Sequence, residues 1–157
     1  MNPMRRLIAG LPSQLRWAAD LEPPRVDAAP EALVLGMGGS AFAGSVAALV
    51  AEAAGRRVVV HRSYGLPLWA AAARPLVVAV SHSGGTKETL DALEQARSAG
   101  LPLAMVGGGG ELAALAAAGG RPMVQVGAPP PPRSAAGCLA GGVLRVFEAE
   151  ALPQPWV

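Results

Sequence analysis

The run Leu76-Val77-Val78-Ala79-Val80 passes directly into Ser81-His82-Ser83-Gly84-Gly85-Thr86 and then into Lys87-Glu88-Thr89-Leu90. A continuous, largely β-branched run of this kind suits a strand buried on both faces of a parallel sheet, whereas a half-buried strand would alternate apolar with polar. After the loop, Leu90, Leu93 and Ala96 recur at helical spacing, with Glu88 and Asp91 near the helix start. Unpaired amide N–H groups at that start, the positive end of the helix dipole and the hydroxyls of Ser81, Ser83 and Thr86 converge on one point. Gly84 and Gly85 let the backbone turn tightly there. A phosphate group fits such a place.

An ordinary Ser/Gly turn with an N-cap would carry similar letters. The phosphate reading gains weight from a second unit of the same build: strand Glu31-Ala32-Leu33-Val34-Leu35, loop Gly36-Met37-Gly38-Gly39-Ser40, and a helical run from Phe42 to Ala54. Strands are expected near 32–36, 57–61, 75–80, 102–106 and 122–126, and helices near 40–54, 86–99, 111–118 and 133–149. This alternation predicts an α/β fold, a doubly wound five-stranded parallel sheet flanked by helices. In the flavodoxin-like order 2-1-3-4-5 the switch point lies between the first and third strands, and those are the strands that end in the two Gly/Ser loops.

The chain divides into a helical arm and Pro-rich linker (1–30), a ligand-binding domain (31–150) and a tail (151–157). Gly107-Gly108-Gly109-Gly110 reads as a flexible turn. Arg133 follows four prolines and opens the last helix, where a cation opposes the dipole unless an anion holds it.

At 157 residues there is material for one domain with a sizeable core. The net charge of +2, carried by twelve arginines and one lysine without aromatic interleaving, gives no nucleic-acid footprint. Cys138 is alone, so no disulfide or cysteine cluster is available, and His61 and His82 make no metal spacing. No apolar stretch is long enough to span a membrane, and Pro12 cuts the one after Arg5-Arg6 too short for a signal peptide. The expected compartment is the cytoplasm.

Four motifs in order, Gly36-Met37-Gly38-Gly39-Ser40, Tyr64-Gly65-Leu66-Pro67, Ser81 to Thr89 and Pro132-Arg133-Ser134-Ala135-Ala136-Gly137, resemble the first half of the bifunctional phosphoglucose/phosphomannose isomerases, which are sugar isomerase (SIS) domain proteins. The resemblance spans roughly residues 30–150. It implies that Ser40, Ser81, Ser83 and Thr86, with Gly84 between them, hold a sugar phosphate, that the Gly38 and Gly39 amides lie near the sugar, and that Arg133 stabilises an enediolate. The implied activity is aldose–ketose isomerisation of glucose 6-phosphate or mannose 6-phosphate to fructose 6-phosphate, with no cofactor or metal. The family's glutamate base and ring-opening histidine lie in its second half, outside this chain, so the expected partners are a small-molecule sugar phosphate and either a second copy or another SIS domain. Two departures stand out: the family's Ser-Tyr-Ser-Gly-Asn-Thr is here Ser81-His82-Ser83-Gly84-Gly85-Thr86, and Gly107–Gly110 replaces a loop that usually carries hydroxyls.

Two other readings use the same residues. A non-catalytic module that senses a phosphosugar would need the cradle alone. Gly36-x-Gly38-x-x-Ala41 also satisfies a relaxed dinucleotide fingerprint, with His61-Arg62 placed to meet the 2′-phosphate of NADP. The NADP reading leaves Ser81–Thr86 without a role.

Overall fold

A computed structural model describes residues 5, 9–27, 29–127 and 134–148. In chain order the elements are α1 (Leu11–Ala19), β1 (Glu31–Leu35), α2 (Gly38–Ala53), β2 (Arg57–His61), α3 (Leu68–Ala73), β3 (Leu76–Ser81), α4 (Lys87–Ser98), β4 (Leu103–Gly107), α5 (Gly110–Gly119), β5 (Met123–Gln125) and α6 (Ala136–Glu148). The five strands form one parallel sheet in the order β2-β1-β3-β4-β5. Fold class and strand order are those expected from the sequence. The short helix α3 is an addition: its Leu68-Trp69-Ala70-Ala71-Ala72-Ala73 run is too brief to show a helical period.

The strands are apolar throughout because both faces of the sheet are covered. Successive side chains point to opposite faces. Ala32, Val34, Val78, Val80, Ala104 and Val106 pack with α2 and α6, while Leu33, Leu35, Val77, Ala79 and Met105 pack with α4 and α5. The central strand β3 is buried over its whole length, including the polar Ser81. No helix among the described residues is long and apolar enough to cross a membrane.

Small residues set how closely the helices approach. Gly142 of α6 faces the sheet, where an added Cβ would lie 2.7 Å from the Val106 side chain. On a neighbouring face of α6, a Cβ on Gly141 would lie 2.3 Å from the Cβ of Ala18 in α1. The N-terminal helix is therefore packed backbone-close onto the last one. Replacing Gly141 by Ala gains about 1 kcal/mol of helix propensity, but forcing a methyl into that contact costs about 1–3 kcal/mol. Gly141→Ala is expected to lower the urea midpoint; an unchanged or raised midpoint would show that α1 yields freely.

Candidate functional site: two helix starts at the sheet's switch point

β1 and β3 are adjacent and parallel, with Ala32 opposite Leu76 and Leu35 opposite Ala79. The loops leaving their carboxyl ends therefore start side by side. One turns through Gly36 and Met37 into α2, and the other runs through His82–Thr86 into α4. They are tied together: the His82 backbone N–H donates to Ser40 Oγ at 3.2 Å, and Ser40 is buried in the first turn of α2.

The predicted hydroxyls do different jobs. Ser81 is fully buried, and its Oγ accepts the Gly84 N–H at 3.0 Å while sharing a hydrogen bond with Thr86 Oγ1 at 2.9 Å. That hydroxyl is engaged within the loop and sets its shape. Ser83 is exposed, and its Oγ accepts the Gly85 N–H at 3.2 Å. Gly38 is exposed and Gly39 half-buried at the start of α2. Arg133 lies outside the described residues.

Met37 and Thr86 occupy the N-cap positions of α2 and α4 in extended conformation, yet neither places a side-chain hydrogen bond on its helix. Thr86 is the type of residue that normally caps, but its hydroxyl is turned to Ser81 instead. Two helix N-termini without that cap, each carrying partial positive charge, thus stand beside one another.

A backbone wall supports the second loop. Gly84 has φ +74°, and a Cβ there would lie 1.8 Å from the carbonyl oxygen of Gly109. The Leu112 N–H donates to Gly84 O at 2.9 Å. Gly107–Gly110, which reads from sequence as a flexible turn, is the surface on which the cradle rests. Its lack of side chains is what lets the β3 and β4 loops pack backbone to backbone. The sequence held one signal of this, glycines at the ends of two strands predicted to be neighbours, and flexibility was the wrong inference from it.

Sequence reasoning also missed the partners of the Tyr64 loop. Asp91 Oδ2 accepts the Gly65 N–H at 2.8 Å and Gln95 Oε1 accepts the Leu66 N–H at 3.0 Å. Gln95 Nε2 also donates to Asp91 Oδ2 at 3.1 Å, an i,i+4 pair that was visible in the sequence. Arg62, which the NADP reading would place on a 2′-phosphate, donates to Ser45 Oγ at 2.7 Å. Burial pushes the Cys138 thiol pKa up, which makes it a poor nucleophile.

A parallel sheet in this order, with hydroxyl-bearing helix starts meeting between its first and third strands, is a doubly wound α/β domain of the flavodoxin-like order. No protein-family model matches the chain. Over 124 residues, 78% of its length, the chain is 28% identical to a bifunctional phosphoglucose/phosphomannose isomerase of Caldicellulosiruptor bescii, and it spans 36% of that relative's length. In fold it is similar to the sugar isomerase domain of an RpiR transcription factor from Sphaerobacter thermophilus, with a TM-score of 0.66 and 18% identity over 95% of this chain and 90% of the other. It is also similar to the NanR protein of Vibrio vulnificus, solved in complex with ManNAc-6P, with a TM-score of 0.65 and 19% identity over 95% of this chain and 61% of the other. The resemblance read from the four motifs holds in sequence and in fold.

Paired glycine substitutions test the wall. At Gly84 an alanine meets both the positive φ and the Gly109 carbonyl, whereas at Gly85 a Cβ meets nothing within 4 Å. Gly84→Ala is expected to cost about 1–3 kcal/mol of stability, from backbone strain and crowding together, and Gly85→Ala much less. Equal melting temperatures for the two variants would contradict the backbone contact.

Proposed function

We propose that this chain is the phosphosugar-binding SIS domain of an aldose–ketose isomerase interconverting glucose 6-phosphate or mannose 6-phosphate with fructose 6-phosphate. The observation that carries the reading is the junction of two helix N-termini without side-chain caps at the switch point, joined by the Ser40–His82 hydrogen bond. Amides of both helices, with Ser40, Ser83 and Thr86, would surround the phosphate, the Gly38 and Gly39 amides would face the sugar, and Ser81 would act by holding Gly84 and Thr86 in place. Residues 31–150 form the binding domain in this reading, preceded by the arm 1–30.

In the reaction, a base removes the C2 proton of the opened sugar as the electron pair moves to the C1 carbonyl oxygen, a proton passes from the O2 hydroxyl to O1, and the resulting enediolate is reprotonated at C1 as the carbonyl forms at C2. Arg133 would stabilise the enediolate charge. Base and ring-opening groups would come from outside the 31–150 domain, in the cytoplasm, without metal or cofactor. A second reading, a sensing module without turnover, is favoured by the fold it shares with a transcription factor domain and with a NanR protein bound to a sugar phosphate.

Calorimetric titration of the chain with fructose 6-phosphate, run beside NADP at matched concentration, tests the proposal. Saturable sugar-phosphate heat is expected, and Ser83→Ala and Thr86→Ala should each lose about 1–3 kcal/mol of affinity, as for a hydrogen bond to a charged group. NADP heat without sugar-phosphate heat would overturn the assignment. Turnover of fructose 6-phosphate, lowered more than binding by Arg133→Ala, would exclude the sensing module.

A further inference from the structure

The loop that leaves β2 crosses the carboxyl edge of the sheet beside the two helix starts. It begins where the His61 carbonyl accepts the Gly36 N–H at 3.1 Å, the amide at which the chain leaves β1 for α2. From there Arg62 reaches Ser45 of α2, which packs on one face of the sheet. The Gly65 and Leu66 N–H groups are held by Asp91 and Gln95 of α4, which packs on the other face. The segment is thus fastened to both of the helices whose starts form the candidate site.

The chain on either side of Tyr64 is fixed, yet its own ring is not covered. Gly65 turns the backbone at φ +75°, a conformation that side chains rarely adopt. Leu66 packs against the core beneath α4, and Asp91 and Gln95 are bonded to each other at 3.1 Å. Tyr64 stands at this turn with 57% of its surface exposed. An aromatic ring left in water on an anchored loop forgoes the apolar burial that the neighbouring core would give it. Tyrosine needs only two χ angles fixed to present an apolar face and a phenol together, which matches the C–H surface and the hydroxyls of a sugar.

Chain geometry keeps Tyr64 near the site. It lies three residues beyond His61, a span of at most about 11 Å. Its neighbour Gly65 is bonded to α4 five residues past the N-cap Thr86, about 7 Å along the helix axis. We infer that Tyr64 contacts the sugar part of a phosphosugar held at the two helix starts, its ring against the carbon chain and its phenol bonded to a sugar hydroxyl, with Asp91 as the positioning residue that holds its loop. The inference rests on the phosphosugar reading above. It divides recognition in two: helix amides and hydroxyls take the phosphate, and the loop after β2 reads what the phosphate is attached to.

Tyr64 is the sole tyrosine of the chain, so its ring can be watched alone. In the full chain with ring-labelled tyrosine, its NMR resonances are expected to move with fructose 6-phosphate and to stay in place with inorganic phosphate. By calorimetry, Tyr64→Ala should bind fructose 6-phosphate about tenfold more weakly, the upper end of what one neutral hydrogen bond contributes, while melting like the parent. Asp91→Ala, which frees the Gly65 N–H, should also weaken binding, but should weaken it no further in a Tyr64→Ala background. Additive losses would overturn the positioning role of Asp91. If the ring resonances do not move, if inorganic phosphate moves them equally, or if Tyr64→Ala binds like the parent, Tyr64 does not read the sugar and the inference fails while the phosphosugar reading stands. If the parent chain gives no fructose 6-phosphate heat, the reading and the inference fall together. Should Tyr64→Ala not fold, the ring resonances of the parent chain decide by the same outcomes.

Discussion

Parallel pairing of β1 with β3 is the constraint on which the rest of the structure depends. It is a non-local pairing, with α2, β2 and α3 inserted between the two strands in sequence, and it brings both strand ends to one point. Each strand then enters a helix, so two positive dipole ends meet where the strand order reverses. Left alone, neighbouring N-termini repel weakly and expose unsatisfied amides. The bond from the His82 N–H, in the loop ahead of α4, to Ser40 Oγ in the first turn of α2 ties the two loops together. In the proposed reading, an anion placed between the helix starts would satisfy their first-turn amides.

The loop after β3 owes its shape to a hydroxyl that solvent never reaches. Burying the Ser81 hydroxyl without partners would cost about 1–3 kcal/mol, yet here it is matched to the Gly84 N–H and the Thr86 hydroxyl. Satisfied in this way it is a rigid internal strut. The strut works only because Gly84 can take a positive φ and lie against Gly109, so the shape of the cradle is decided as much by the next strand's loop as by its own residues. Thr86 follows from the same arrangement: its hydroxyl pairs with Ser81 and places no cap on the first-turn amides of α4.

Most of the fold was legible because its strands are short apolar runs closed by Gly/Ser loops, a pattern in which type and order survive even where boundaries shift by a residue or two. Both loops at the switch point were legible for the same reason. What sequence could not supply was contact between distant backbones. The glycines at 107–110 carry no side chain to suggest a partner, so their packing on Gly84 had no local signature. Gln14 sits in an unremarkable amphipathic stretch, and nothing near it in sequence signals a helix start more than a hundred residues away. Asp91 and Gln95 were visible as an i,i+4 pair, but that they hold the Tyr64 loop depends on α4 lying against it.

The cradle itself is made of neutral donors, and this bears on how chemistry could be distributed around it. In a 6-phosphate sugar the proton that must move in aldose–ketose isomerisation is on C2, toward the opposite end of the carbon chain from the phosphate. Groups that grip the phosphate are therefore the wrong ones to act as the base. Glu88 lies in the first turn of α4, where its charge complements the dipole, and the backbone of His82 is committed to Ser40. In the proposed reading, reactive groups would have to approach from beyond the cradle. The start of α6 is held by α1 through Gln14, whose Oε1 accepts the Gly137 and Cys138 N–H groups, so the last helix is placed by the first rather than by its own neighbours in sequence.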